Sequence, residues 1–106
     1  MKEFQITPQE LKQRMAGGEQ PFLLDVREPH EFKTANLGGT LIPLGELPSR
    51  LHEIDPDREI VVICHHGIRS MQATAFLHGQ GFAKVKNLKG GIDRWTIEID
   101  PSVPRY

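Results

Sequence analysis

The segment formed by residues 59–64, EIVVIC, constrains the fold of this chain more than any other part of the sequence. It is rich in β-branched residues and lacks the alternation of apolar and polar residues expected of a strand with one solvated face. Such a run is typical of a strand buried on both faces, as in the centre of a parallel sheet. Because parallel strands are joined by crossover helices, the segment predicts an α/β fold.

Further apolar segments supply the other predicted strands. Strands are predicted over residues 4–6, 22–26, 41–44 and 84–88. Pro43 cannot donate a ladder hydrogen bond, so it places the strand that contains it at an edge of the sheet.

Helical patterns separate these strands. Thr7, Pro8 and Glu10 have the form of a capping box, which predicts a helix over residues 8–16 that ends at the following glycine pair. In the helix after the 59–64 strand, the spacing of Ile68, Met71 and Ala75 predicts the buried face. That helix is predicted to end at Gly79 or Gly81. Other helices are predicted over 29–32 and 46–53 and, after residues 90–91, around Trp95, which is assigned to the core.

The size and charge of the chain exclude several functional classes. The chain has 106 residues, with 13 Lys and Arg against 14 Asp and Glu, so residues 1–106 are predicted to form a single domain without the basic excess of a nucleic-acid module. Its apolar runs are far shorter than the roughly 20 residues that span a bilayer. The polar N-terminal residues lack the apolar region of a secretory signal, so a cytoplasmic, monomeric protein is expected, with no membrane or nucleic-acid partner.

The lone cysteine, Cys64, occupies a position suited to chemistry. It ends the most buried predicted strand, and ligands of open α/β sheets collect at the carboxyl ends of strands. The helix that follows presents unpaired N–H groups and a partial positive charge. Gly67 permits a tight turn in which successive N–H groups converge on one anion. A single cysteine also excludes an internal disulfide and the multi-cysteine type of metal site, and no metal is predicted.

Magnitudes indicate which groups would activate the thiol. Lowering the pKa of a cysteine from about 8.5 to about 6.5 requires about 2.7 kcal/mol of preference for the thiolate. A helix dipole supplies about 0.3–1 kcal/mol, and about 2 kcal/mol in favourable geometry. Two hydrogen bonds to the thiolate at about 1.5–3 kcal/mol each would supply the rest, so loop amides must do most of the activation. The alternative from position alone is a buried structural cysteine.

Three segments together resemble the motifs of rhodanese-like sulfurtransferases. Residues 64–70, CHHGIRS, have the pattern Cys-x-x-Gly-x-Arg-Ser of the family's active loop. Residues 25–32, DVREPHEF, and residues 90–95, GGIDRW, are similar to the other two signatures, in the family's order. The resemblance implies a five-stranded parallel sheet between two helical layers. Residues 36–39, NLGG, and residues 100–106 are similar to rhodanese domains attached to enzymes that activate sulfur-carrier proteins.

The resemblance implies a sulfurtransferase that works through a persulfide on Cys64. Thiosulfate or a persulfide donor would supply the sulfur, a thiol or sulfur-carrier protein would accept it, and no cofactor would be needed. The persulfide anion would be held by the loop residues His65, His66, Gly67, Ile68, Arg69 and Ser70. Arg69 is expected to attract the donor, with pairing to a helix carboxylate as the alternative. Ser70 is expected either to bond the loop or to cap the helix.

The segment around Asp25 is expected to support the loop. Asp25 ends a strand predicted to lie beside that of Cys64, so its carboxylate is expected near the loop. Arg27 and Glu31 are predicted to form an i,i+4 ion pair. The other histidines, His30, His52 and His78, are assigned to the solvated surface.

Two other functional classes remain open. A rhodanese-fold binding module would not catalyse transfer, although such members often lack the cysteine that this chain keeps. Phosphatases of the same family have five residues between cysteine and arginine, and this chain has four, His65 to Ile68. The shorter loop favours a terminal sulfur over a tetrahedral phosphate.

Overall fold

A five-stranded parallel sheet forms the centre of a computed structural model of the chain, which describes residues 2–106. The strands run β1-β5-β4-β2-β3 across the sheet, and each neighbouring pair is parallel. This arrangement confirms the predicted fold class. The strand bounds are β1 Gln5–Ile6, β2 Phe22–Asp25, β3 Thr40–Leu41, β4 Ile60–Ile63 and β5 Val85–Leu88.

The described residues form four α-helices and two 3₁₀ helices, four of which connect successive strands, while one precedes β1 and one follows β5. The α-helices are α1 Pro8–Ala16, α2 Pro29–Thr34, α3 Ile68–Gly79 and α4 Gly91–Glu98. The 3₁₀ helices are Lys2–Phe4 and Leu44–Glu53. Within the described residues, no helix combines the length and the apolar character needed to cross a bilayer.

The central strand β4 contributes side chains to two separate apolar cores. All four of its residues are buried, as the apolar run predicts. Ile60 and Val62 join one apolar cluster with residues of α3 and the second 3₁₀ helix, whereas Val61 and Ile63 join another with residues of α1 and α4. Because successive strand residues point to opposite faces, this division places helices on both sides of the sheet. The fold is therefore a three-layer α/β/α sandwich.

The connection between β3 and β4 differs from the predicted helix over residues 46–53. The segment is a 3₁₀ helix that contains Pro48 and departs from helical backbone angles at Arg50. Proline lacks the N–H needed to continue an α-helical ladder, which accounts for the change of geometry. β3 lies at the sheet edge, as Pro43 predicts, and ends before that proline.

The predicted buried face of α3 is wrong. Ile68 is 72% exposed, Ala75 is exposed and Met71 is only half-buried. The helix instead buries Ser70, Ala73, Thr74 and Leu77. Two of these are hydroxyl residues that form hydrogen bonds inside the protein, so burial on this helix does not follow hydrophobicity alone.

Two predictions about aromatic residues also need revision. His78 is half-buried rather than solvated, with Nε2 2.9 Å from the carbonyl oxygen of Val85. Trp95 is partly buried and packs against the α1–α4 core. His30 and His52 are exposed, as predicted.

Candidate active site

Cys64 follows β4 and begins a short loop that leads into α3. Its Sγ accepts a hydrogen bond from the backbone N–H of Gly67 at 3.0 Å. The hydroxyl oxygen of Ser70 lies 3.2 Å from the same sulfur. Gly67 has φ = 97°, a left-handed conformation that favours glycine, and it is the N-cap of α3. The backbone turn at Gly67 is therefore what directs an amide proton at the sulfur.

The N-terminus of α4 holds the other side of the loop. The N–H of Ile92 donates to the carbonyl oxygen of Cys64 at 2.9 Å, and the N–H of Asp93 donates to that of His65 at 3.1 Å. A Cβ on Gly91 would lie 2.5 Å from the Cys64 carbonyl oxygen and closer still to that of His65. The loop carbonyls are thus occupied by α4, and the close approach requires glycine at position 91.

The sulfur is buried. Cys64 is 1% exposed, whereas the loop residues His66 and Ile68 face solvent. Since a donor atom must touch Sγ in order to react with it, residues of the loop have to move aside locally for that contact. Among the described residues, one amide proton, that of Gly67, is hydrogen-bonded to the sulfur, whereas the sequence argument expects several.

Arg69 is paired with a carboxylate. Its Nη1 and Nη2 bind the two carboxylate oxygens of Glu31 on α2 at 2.7 and 2.9 Å. The guanidinium holds the pKa of Glu31 well below its usual range, and the carboxylate in turn raises that of Arg69. The hydroxyl of Tyr106 also donates to Glu31, at 2.9 Å. Of the two roles predicted for Arg69, the structure therefore shows the pairing with a helix carboxylate. This pairing leaves Arg69 beside the loop with its charge balanced by Glu31.

Asp25 and Arg27 form a buried ion pair. Arg27 is fully buried, and its Nε and Nη2 donate to the two carboxylate oxygens of Asp25 at 2.9 and 2.7 Å. The predicted pairing of Arg27 with the Glu31 side chain is wrong, since only the Glu31 carbonyl oxygen is near, at 3.4 Å. Asp25 lies beside Ile63 in the sheet, as expected, but its carboxylate binds Arg27 rather than the loop. The pair supports the strand end under the site.

The two loop histidines lie at the surface of the site with Tyr106. The His65 ring stacks between those of His66 and Tyr106, with centroid separations of 4.0 and 4.1 Å. Burial, together with the neighbouring His66, lowers the pKa of His65. The neutral imidazole is thus favoured against the tyrosine ring.

His65, His66 and Asp93 are the described residues whose ligand atoms come close enough for a metal ion, within 4.8 Å of one another. Asp93 is already bound to Nε of Arg105 at 3.0 Å, and this lowers the pKa of Asp93. The two imidazoles stack on each other, with their ring planes 22° apart. The side chains of this group are therefore already engaged, Asp93 by Arg105 and His65 by the ring stack.

Sequence reasoning missed two residues that contact the site. Asn87 on β5 lies against the Ser70 hydroxyl and binds the Gly67 carbonyl oxygen, and Tyr106 binds Glu31. Asn87 is buried next to Lys86 in β5, and the sequence of that strand gives no sign of the burial. Ser70 does not cap α3, because the N-cap is Gly67. Beside the loop, Gly67, Ile68 and Met71 line an open apolar hollow.

Comparisons with known proteins agree with this geometry. The family model described as "Rhodanese-like domain" matches residues 7–98. A sulfurtransferase of Allochromatium vinosum is 40% identical over 87% of this chain and 87% of that protein. A putative sulfur carrier protein of Bacillus subtilis, YrkF, is 40% identical over 87% of this chain but 50% of that protein. The crystal structure of a rhodanese-related protein from Thermoplasma volcanium superposes with a TM-score of 0.83 at 32% identity, covering 94% of this chain and 96% of that one.

This chain is also similar to part of a protein that is named for two activities, adenylyl transfer and sulfur transfer. The adenylyltransferase and sulfurtransferase MOCS3 of Arabidopsis thaliana is 31% identical over 98% of this chain, which spans 26% of that protein. The resemblance in the three motifs is confirmed.

Proposed function

Since this chain belongs to the rhodanese-like domain family, we propose that it is a sulfurtransferase that carries sulfur as a persulfide on Cys64. The observation that supports this most directly is the Gly67 N–H, which donates to the sulfur at 3.0 Å, with the Ser70 hydroxyl oxygen also within reach of the sulfur at 3.2 Å. Hydrogen bonds to a charged acceptor contribute about 1.5–3 kcal/mol each, so a donor at this position stabilises a persulfide anion on the sulfur.

The first half of the reaction loads the cysteine. The Cys64 thiolate attacks the outer sulfur of thiosulfate, a sulfur–sulfur bond forms, and the original sulfur–sulfur bond breaks with sulfite as the leaving group. A persulfide donor reacts in the same way and leaves as a thiolate. No external oxidant or cofactor is consumed, because the transferred sulfur brings its own oxidation state.

The second half of the reaction transfers the sulfur from Cys64 to an acceptor. An acceptor thiolate attacks the outer sulfur of the Cys64 persulfide, takes that sulfur, and releases the Cys64 thiolate. Two successive transfers through one covalent intermediate predict ping-pong kinetics. Both half-reactions need the local loop movement described above, because Sγ is buried in the unloaded protein.

The acceptor that we propose is a thiol or a sulfur-carrier protein in the cytoplasm, met by a monomer of this chain. Relatives named as a sulfur carrier and as an adenylyltransferase and sulfurtransferase support this class of partner. The exposed Ile68 and the apolar hollow beside the loop would border such a partner as it reaches the sulfur. The single unbridged thiol suits a reducing compartment.

Intact-protein mass spectrometry tests the loading step. After treatment with thiosulfate or a small-molecule persulfide, the chain should gain the mass of one sulfur atom, and a thiol should remove it. The matched control is Cys64→Ala, which should gain nothing, and since the chain has one cysteine the assignment is direct. Equal gain by the control, or no gain with either donor, would refute the proposal.

The same preparation separates the alternatives. A binding module would stay unloaded with both donors. A phosphatase would hydrolyse an aryl phosphate in a reaction that Cys64→Ala abolishes. We expect no such hydrolysis, since the loop holds four residues between cysteine and arginine.

A further inference from the structure

A buried chain of polar side chains extends from the sulfur into the protein. Cys64 Sγ lies 3.2 Å from Ser70 Oγ, which is hydrogen-bonded to the side chain of Asn87. Asn87 continues the chain to Gln5 Oε1 at 2.9 Å. Ser70 is 0% and Asn87 2% exposed, so water does not compete for the bonds that join Cys64, Ser70 and Asn87, whereas Gln5 is half-buried.

The Gly67 carbonyl fixes the orientation of the Asn87 amide. That oxygen can only accept, so the amide atom 3.2 Å from it must be Nδ2, the donor. The other amide atom, Oδ1, therefore faces Ser70. Because Oδ1 has no proton, the hydroxyl proton of Ser70 must supply the bond between them.

A serine hydroxyl has one proton and two possible acceptors here. When Cys64 is a thiol, its S–H can donate to Ser70 Oγ while Ser70 donates to Asn87. When Cys64 is a thiolate, the anion needs a donor, and the Ser70 proton is the one in reach besides the Gly67 N–H. Asn87 Oδ1 and Cys64 Sγ thus compete for the same proton.

We propose that Asn87 is a positioning residue that governs, through Ser70, how readily Cys64 becomes and remains an anion. On ionisation the thiol proton leaves to solvent, and the Ser70 hydroxyl turns from Asn87 Oδ1 to Sγ. The inference rests on the proposed function in one respect, since sulfur transfer requires Cys64 to pass between these states.

Other charged groups near the sulfur stay constant in a test of this competition. Arg69 on α3 is paired with Glu31 on α2, Asp25 on β2 is paired with Arg27, and Asp93 on α4 is paired with Arg105. His65 adjoins Cys64 in the chain, and Tyr106 covers His65. Their contributions cancel when the effects of one substitution in two backgrounds are compared.

The test is a double-mutant cycle on the ionisation of the sulfur. The ultraviolet absorbance of the thiolate is followed against pH in the wild-type chain, Asn87→Leu, Ser70→Ala and the double variant, with Cys64→Ala as the blank. This readout needs neither a sulfur donor nor access of a reagent to the buried thiol.

The competition predicts coupling between the two positions. In the chain that retains Ser70, Asn87→Leu should lower the pH midpoint of Cys64 ionisation by about one unit more than it does in the Ser70→Ala background. At a fixed pH below the midpoint, this difference corresponds to an about tenfold change in the ratio of thiolate to thiol. A purely structural role of Asn87 would shift both backgrounds equally, and equal shifts overturn the inference. If Asn87→Leu unfolds the chain, Asn87→Asp replaces it with coupling of the opposite sign, because a carboxylate holds the Ser70 proton more tightly.

This outcome is separable from the proposed function. A chain that shows the coupling but gains no sulfur from any donor refutes sulfur transfer and supports the role of Asn87. A chain that gains sulfur, but in which the two substitutions shift the pH midpoint of ionisation additively, supports sulfur transfer and refutes the role of Asn87.

Discussion

Replacing Gly91 with alanine should damage both stability and the catalytic loop, because the first residue of α4 lies directly against the backbone of the loop. Gly91 has φ = 64°, a left-handed conformation. An added Cβ would lie 2.5 Å from the Cys64 carbonyl oxygen and nearer still to that of His65. These are backbone atoms, so no side chain can rotate away, and the loop and the helix must separate.

The cost can be built from two parts. An L-residue in a left-handed conformation costs about 1–2 kcal/mol, independent of space. Separation of the loop from α4 also lengthens the hydrogen bonds from Ile92 and Asp93 to the two carbonyls, which contribute about 0.5–1.5 kcal/mol each. Gly91→Ala should therefore lower the free energy of unfolding by about 3 kcal/mol.

Gly81→Ala is the matched control. Gly81 has φ = 93°, and a Cβ there would meet no atom within 4 Å. This variant bears only the conformational cost, about 1–2 kcal/mol. The assay is urea unfolding of both variants, followed by mass spectrometry of sulfur loading on Cys64 under conditions where each is folded.

We expect Gly91→Ala to lose most of its loading, because the displaced carbonyls disturb the loop around the sulfur, and Gly81→Ala to load as the wild type does. Equal destabilisation of the two variants, or full loading of a folded Gly91→Ala chain, would refute the reasoning.

Three further predictions concern the charged groups around the loop. Arg27→Met leaves the buried Asp25 carboxylate without its partner, so urea unfolding should show a loss of about 3–5 kcal/mol, and a loss under about 1 kcal/mol would contradict the role of the pair. Arg69 depresses the pKa of Glu31 in the folded state, so the stability that this pair contributes is present at neutral pH and is lost as the pH falls below about 4.3. Glu31→Gln should therefore make the free energy of unfolding fall less steeply as the pH is lowered. An unchanged slope would exclude this contribution. Tyr106→Phe keeps the ring on His65 but removes the hydroxyl that bridges two charged groups, and should cost about 1 kcal/mol by thermal unfolding, with a larger loss for Tyr106→Ala; no loss in Tyr106→Phe beside a clear loss in Tyr106→Ala would assign the effect to the ring alone.

Local sequence patterns predicted the elements of the fold whose causes are themselves local. The apolar run at β4 predicted a doubly buried strand, since burial of both faces leaves a continuous hydrophobic signal. The capping box at Thr7 predicted the start of α1, and both of its hydrogen bonds form. Gly67 was predicted to permit a tight turn that directs several N–H groups at one anion, and the left-handed turn is present with one such N–H at the sulfur.

Ion pairs that join different elements of the fold were not predictable in this way. The i,i+4 spacing favoured an Arg27–Glu31 pair, but Asp25 presents both carboxylate oxygens to Arg27 in a buried strand end. Glu31 then pairs with Arg69, 38 residues away, a contact that only the packing of α2 against the loop creates. A prediction from the spacing of residues along one helix does not take account of charged side chains from other parts of the fold.

The error on α3 has a related cause. Ile68, Met71 and Ala75 have helical spacing, but the helix presents Ser70 to the sulfur and to Asn87 instead. A hydroxyl that completes a buried hydrogen-bond chain can be buried as completely as leucine, and hydrophobic periodicity does not register it. The apolar stripe is left at the surface beside the loop.

The three motif segments act on the sulfur through different atoms of one backbone loop. Residues 64–70 direct the Gly67 amide at Sγ, and Gly91 lets the N-terminus of α4 bind the carbonyls of the same loop. Glu31, in the first motif segment, holds Arg69 at the far end of the loop. Because two of the three segments touch the loop without touching the sulfur, their contribution to chemistry depends on backbone orientation. Substitutions there should therefore change the reactivity of Cys64 only as far as they move the loop.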